Sequence, residues 1–220
     1  MSSEEIGQQY LKDSEARPGS LGQNQFYSLE KNPPTRARRP QNSLSDDDIK
    51  AFLQRSIVGH FGTRWNEQPF ITPSNFWYDK AKHQILFHSN VVGRIRANSE
   101  RHDQICMEAS EFGNFLPSND PLEVSIQYRS VMVFGKIVVL EAEAAREALY
   151  GLMHKYMPAM TAGVEYRKIT DADLKRTSVY AIQIEHRSGK ENWQPKADQT
   201  DEHPALDERW FSFTNFLDWQ

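Results

Sequence analysis

Between Ser56 and Glu185 the sequence reads as one short strand-like segment after another, with only two or three helical stretches inserted, and this succession restricts the fold more than any other feature. Residues 56–62 and 69–78 flank the polar stretch 64–68 and read as a hairpin; residues 79–82 then turn the chain into a third segment at 84–89. Residues 105–112, 123–140 and 178–185 continue the pattern, with Ser130 and Gly135 as expected bends or bulges. Antiparallel strands with so little helix to cover them must hide both sheet edges. That requirement favours a closed or partly closed barrel of six or more strands over an open sheet.

The helical stretches are readable from their ends. Ser45 followed by Asp48 is a capping-box-like pair, Asp46, Asp47 and Asp48 complement the positive end of a helix, and Ile49, Phe52 and Leu53 recur at helical spacing up to about Arg55. Residues 93–102 read as a short basic helix carrying Arg94, Arg96 and Arg101. Residues 142–157 are rich in helix formers, place Ala145, Leu149, Leu152, Met153 and Tyr156 on one face, and stop at Pro158.

Outside this region the composition changes. Residues 1–44 read as an extended arm, because Pro18, Pro33, Pro34 and Pro40 each fix φ and lack a donor; Arg36, Arg38 and Arg39 follow as a basic strip. Residues 191–220 form an acidic tail with Asp198, Asp201, Glu202, Asp207 and Glu208. It ends in Trp210, Phe211, Phe213, Phe216 and Trp219, which are expected to pack on the barrel or on a partner subunit.

Several classes of function are excluded by simple counts. The chain has 26 basic and 30 acidic side chains, a formal charge of -4, so the basic excess that grips nucleic-acid phosphates is missing. A lone cysteine, Cys106, excludes an internal disulfide framework, a CxxC redox centre and a four-cysteine zinc site. Seven histidines are scattered without ligand spacing, and no metal site is expected. Nucleophile-elbow, zinc-helix, phosphate-loop and dinucleotide fingerprints are all missing. No run approaches the ~20 apolar residues of a membrane span, and the acidic start has no signal-peptide stretch, so a cytoplasmic chain is expected.

One junction does suggest a site. In His88-Ser89-Asn90-Val91-Val92-Gly93-Arg94-Ile95-Arg96 a strand ends, Gly93 allows close backbone approach, and two arginines follow. A serine hydroxyl and an arginine fork suit the terminal phosphate of a cofactor. The same residues also suit an ordinary turn in which Ser89 caps the helix and the arginines are solvated.

Phe87-His88-Ser89 with Gly93-Arg94, preceded by Pro69-Phe70-Ile71-Thr72-Pro73, resembles the FMN-binding split barrel of pyridoxamine 5′-phosphate oxidase-like proteins, in particular the Nim-type, nitroimidazole-resistance-like branch. Tyr128-Arg129-Ser130-Val131-Met132-Val133-Phe134-Gly135 is similar to that branch's Y-x-S-V-x-x-x-G strand, and the helix from Arg146 to Pro158 and the closing Ser188-Gly189-Lys190 also match. The resemblance covers roughly residues 45–190. It implies a mainly β fold with inserted α, a six-stranded antiparallel split β-barrel with short peripheral helices. It also implies a homodimer with flavin at the subunit interface.

Carried over by resemblance, Ser89 and Arg94 would contact the FMN phosphate with Gly93 shaping the loop, and Arg96 is an alternative to Arg94. Thr72 and Pro73 would lie along the strand that meets the isoalloxazine, Thr63 could approach the same edge, and His88 would lie close to the flavin. His88 is then either a proton donor to substrate or a structural residue. The arginine and lysine positions that hold pyridoxal phosphate in true pyridoxamine oxidases are not matched. The implied function is a flavin-dependent oxidoreductase of a small organic substrate, supplied with electrons by a donor such as NAD(P)H. The alternative is a non-catalytic flavin- or haem-binding module.

Overall fold

The structure is a computed structural model and describes residues 40–211. The expected arm up to residue 39, and Phe213, Phe216 and Trp219 of the tail, lie outside the described residues. After a 3₁₀ turn at Pro40–Asn42, helix α1 (Asp46–Arg55) starts where its sequence predicts: the Asp48 amide donates to Ser45 Oγ at 3.2 Å. Strands β1 (Val58–Trp65), β2 (Gln68–Asn75), β3 (Trp77–Asp79) and β4 (Gln84–Asn90) follow, then helix α2 (Arg94–Ser99). Strands β5 (Gln104–Leu116) and β6 (Ser125–Leu140), helices α3 (Ala142–Tyr156) and α4 (Asp171–Arg176), and strand β7 (Thr177–Asn192) complete the body.

All seven strands join one antiparallel sheet in the order β2-β1-β5-β6-β7-β4-β3. The two edge strands, β2 and β3, are separated in the chain by Phe76 alone. Consecutive Cα atoms sit only ~3.8 Å apart, so the two edges of this sheet must come back to the same place. The sheet is therefore a barrel split at Phe76, whose ring is fully buried. This accounts for the seventh strand: the expected single strand over residues 69–78 breaks at Phe76 and sends its halves to opposite edges.

The interior holds Phe52, Leu53, Phe61, Phe76, Phe87, Met107, Val131, Val133, Tyr180 and Ile182, all essentially inaccessible. Phe87 stacks on both Phe61 and Tyr180, with ring centroids 3.9 and 4.9 Å apart. A second cluster lies on the outer face of the sheet, where α3 covers Leu86, Val179 and Ala181 with Ala145 and Ala148. The apolar residues of β4 and β7 therefore run continuously, because both faces of these strands are covered.

Gly135 is a bulge, as its sequence context predicts. The β6–β7 register shifts between Phe134 and Gly135, and a Cβ there would fall 2.0 Å from the Gln183 carbonyl oxygen. Ser130 instead continues the ladder between Ser110 and Lys190 without a break. Helix α4 is absent from the sequence reading, yet Thr170 and Asp173 form a capping box at its start. Strand β7 runs to Asn192, seven residues past the expected end at Glu185, because β6 offers a ladder along its whole length. The polar tail after β7 is held by the β5–β6 loop and by β6 itself: Ser118 Oγ donates to the Asp198 carbonyl at 2.6 Å, and Gln127 Nε2 to the Gln194 carbonyl at 2.8 Å. Among the described residues, no helix is long and apolar enough to cross a membrane.

Candidate functional site

The turn after β4 is built by its own backbone. The amide of Val92 donates to Asn90 Oδ1 at 3.0 Å and that of Gly93 to the Asn90 carbonyl at 2.9 Å, which tightens residues 90–93 into a loop ahead of α2. Any Cβ at position 93 would lie 3.0 Å from the Asn90 carbonyl oxygen, so glycine keeps this loop close to the strand end. Ser89 does not cap α2: the cap position is Gly93 with no side-chain bond. Its hydroxyl lies 3.0 Å from the Tyr180 hydroxyl, within hydrogen-bond reach at the end of the barrel interior.

The two arginines separate clearly. Arg96 donates to Glu100 at 2.6 Å and reaches Ser178 Oγ at 3.5 Å, so its guanidinium is occupied within the chain. Arg94 is exposed, pairs with no acidic group among the described residues, and rests over the Phe70 ring at 4.2 Å. An arginine held by an aromatic face keeps its N–H groups free for an oxyanion.

Paired residues in adjacent antiparallel strands share a face. Phe61 pairs with Thr72 and Thr63 with Phe70, which sets Thr63, Phe70 and Thr72 on the inner face. Pro73 pairs with His60 on the outer face. Thr72 and Pro73 thus present their side chains to opposite sides of β2, and what they share is the backbone of an edge strand, half of whose groups the sheet leaves unpaired.

Thr63, only 7% exposed, accepts a hydrogen bond from Asn98 Nδ2 at 2.9 Å. Asn98 lies on α2, four residues after Arg94, and is 1% exposed; its Oδ1 has no partner. Trp65, Val92, Gly93, Arg94, Ala97 and Asn98 line a cleft of about 290 Å³ against this turn. The structure therefore brings Thr63, Ser89, Gly93 and Arg94 to one end of the barrel. It adds Trp65, Phe70 and Asn98, which the sequence reading does not include. The signal for Asn98 was its spacing from Arg94, which puts both on one helix face. For Phe70 there was no local signal, since only the β1–β2 register places it opposite Thr63.

His88 goes elsewhere. It alternates with Phe87 and Ser89, shares its face with Leu86, and pairs with Val179 beneath α3. Its Nδ1 is buried without a partner, and burial pushes its pKa below the usual histidine value, so the ring is neutral at pH 7. Cys106 sits beside Gly62 on the outer face, and burial raises its thiol pKa, which makes it a poor nucleophile. Lys155 donates to the carbonyls of Ser56 and Phe76 at 2.6 and 2.8 Å, and burial pushes its pKa down to about 8. This lysine clamps the barrel seam rather than the turn after β4. Among the described residues, no three His, Cys, Asp or Glu side chains are grouped to hold a metal ion.

The residues at the turn fit a phosphate group: a guanidinium with no acidic partner among the described residues, a hydroxyl, and a glycine that removes bulk from the loop; the Asn98 Oδ1 is an acceptor and would instead meet a donor of a bound group. A buried acceptor without a donor costs roughly 1–3 kcal/mol, which a ligand N–H would recover.

Comparisons with known proteins bear on this site. A family model for pyridoxamine 5′-phosphate oxidase matches residues 45–191. Among curated proteins no sequence matches. The flavocytochrome Anf3 from Azotobacter vinelandii is similar in structure with a TM-score of 0.68 at 22% identity, over 76% of this chain and 77% of that one. A FAD and heme binding protein from Mycobacterium smegmatis aligns with a TM-score of 0.65 at 20% identity, over 72% and 76% of the two chains. A protein assigned to 5-nitroimidazole antibiotic resistance from Bacteroides thetaiotaomicron gives 0.57 at 19%, over 67% and 85%. At these identities the likeness is one of fold.

Proposed function

Because the chain belongs to the pyridoxamine 5′-phosphate oxidase family of flavin-binding split barrels, we propose that it binds the FMN half of a flavin at the turn after β4 and acts as an oxidoreductase on a small organic substrate. The observation that carries this reading is Arg94, which pairs with no acidic group among the described residues and is set on Phe70 beside Ser89, Gly93 and the Thr63–Asn98 pair. In it, Arg94 and Ser89 hold the phosphate, Gly93 lets the loop close on it, and the free backbone edge at Thr72 and Pro73 meets the polar rim of the ring. Arg96 serves Glu100 instead.

Bound flavin would supply hydride and electron transfer, which no side chain of this protein provides. The chain's own part is to anchor the phosphate, orient the ring and exclude water. His88 is assigned no proton transfer at the turn, because it opens onto the opposite face of β4 from Ser89.

We further propose a homodimer. The outer face of β1, β2, β5 and β6 exposes Ile71 (74%), Phe112 (66%), Val58 (44%) and Met132 (38%), apolar area that a second copy would cover. A cytoplasmic setting and an electron donor of the NAD(P)H type belong to the same reading. The test is anaerobic mixing of flavin-loaded protein with NADH or NADPH, followed by a panel of small oxidised acceptors. Bleaching of the flavin absorbance by donor and its return with an acceptor is the expected result. Flavin that binds but does not cycle with any donor would instead favour a binding module.

A further inference from the structure

We propose that a cleft at the opposite end of β4 from Ser89 is a separate anion site, which takes the phosphate of a small phosphorylated molecule. The cleft, of about 310 Å³, is lined by Lys50 of α1, Tyr78 of β3, Lys80 and His83 of the β3–β4 turn, and Arg187 of β7. The length of β4, roughly 20 Å of extended chain, separates His83 from the turn after β4. The proposal therefore stands or falls independently of the flavin reading.

Hydrogen-bond accounting shows what the cleft lacks. His83 lies between Tyr78 Oη, 2.7 Å from its Nδ1, and Arg187 Nη1, 2.7 Å from its Nε2. A guanidinium has donors only, so Nε2 accepts, and Nδ1 carries the ring proton and donates it to Tyr78 Oη. The Tyr78 hydroxyl hydrogen is then left without an acceptor among the described residues, on a residue only 2% exposed. Lys80 is exposed and makes no hydrogen bond or ion pair among the described residues.

The nearby carboxylates do not meet this demand. Asp46 takes Lys50 at 2.6 Å and Arg187 Nε at 2.7 Å, and Asp47 stands 3.7 Å from Lys50 with its side chain in solvent. Asp79 accepts from the amides of Ala81 and Lys82 within the turn. No acidic side chain lines the cleft, which thus offers donors in excess of acceptors. Lysine, arginine and a hydroxyl around one hollow suit an oxyanion with several lone pairs. The volume leaves room for a carbon skeleton attached to it.

His83 couples this site to pH. The groups that face it are Tyr78 on β3, Lys50 and Asp46 on α1, Arg187 on β7, and Lys80 in its own turn. Burial, Arg187 and Lys50 hold its pKa below the ordinary value. A bound anion offsets those cations and favours the imidazolium, so by linkage the anion binds more tightly as pH falls.

The experiment follows the His83 ring by NMR in the full chain, its signals assigned by their loss in His83→Gln. An Arg94→Ala background removes any contribution from the turn after β4. Inorganic phosphate, glycerol phosphate and sulfate are titrated against chloride at matched ionic strength. Both phosphates should give saturable shifts with a Kd of ~1 mM or tighter. Lys80→Gln and Tyr78→Phe, which leave the Asp46 ion pairs in place, should each weaken binding about threefold or more. Sulfate, whose charge is constant, should bind more tightly at pH 6 than at pH 8 and raise the midpoint of His83. A response no greater than that of chloride would overturn the proposal as simple screening. Unchanged affinity in both variants would overturn it too, as would a site that accepts inorganic phosphate and rejects the ester. The titration of the Arg94→Ala chain decides the matter even if a cleft variant folds poorly, and a failure of flavin to bind leaves it untouched.

Discussion

At the scale of single residues, neighbours in sequence often have unrelated work. Ser89 faces the barrel end and reaches Tyr180, while His88 lies under α3 as a neutral ring with a buried, unpartnered nitrogen. Burial holds the folded pKa of His88 below the ordinary value of 6.5. Below about pH 6.5 the unfolded chain takes up a proton that the native chain resists, so the native state loses stability as pH falls toward the folded pKa, and nothing changes above that window. The melting temperature of wild type should therefore fall more steeply on acidification from pH 7 than that of His88→Gln. Some dependence should survive in the variant, because burial and the Arg187 charge also lower the pKa of His83. Parallel pH profiles for the two proteins would contradict the assignment of His88 as a half-buried neutral ring.

At the scale of elements, what could be read in advance was what is local. The cap at Ser45 and Asp48, the α3 stripe ending at Pro158 and the bulge at Gly135 each depend on residues a few positions apart. The turn Ser89–Gly93–Arg94 is local too, which is why it could be picked out from spacing and resemblance. The break at Phe76 was hidden because an apolar residue between two strand-like runs looks the same in one strand or two; closure of the barrel decides it. The second half of β7, with His186, Arg187, Ser188 and Lys190, has no strand-like apolar pattern and is extended because β6 pairs with it. The Thr63–Asn98 bond joins positions 35 residues apart, and the Trp65–Arg101 contact likewise needs the fold. These long-range pairs wall the cleft against the turn after β4.

At the scale of the whole molecule, one split barrel leaves an apolar outer face suited to a second copy and a polar, cationic turn suited to a flavin phosphate. Ile71 is the most exposed apolar residue of that outer face and pairs with Gly62, so its side chain supports nothing in the barrel interior. Ile71→Lys should shift the protein from dimer to monomer in sedimentation equilibrium with an unchanged circular dichroism spectrum; a variant that stays dimeric would remove this face from the interface. The most direct test of the central claim is titration of Arg94→Ala with FMN and with riboflavin. Loss of a charge-assisted bond to phosphate should weaken FMN by about 1.5–3 kcal/mol, roughly ten- to a hundredfold, while riboflavin, which has no phosphate, binds variant and wild type alike. Unchanged FMN affinity, or an equal loss for riboflavin, would contradict a flavin phosphate at the turn after β4.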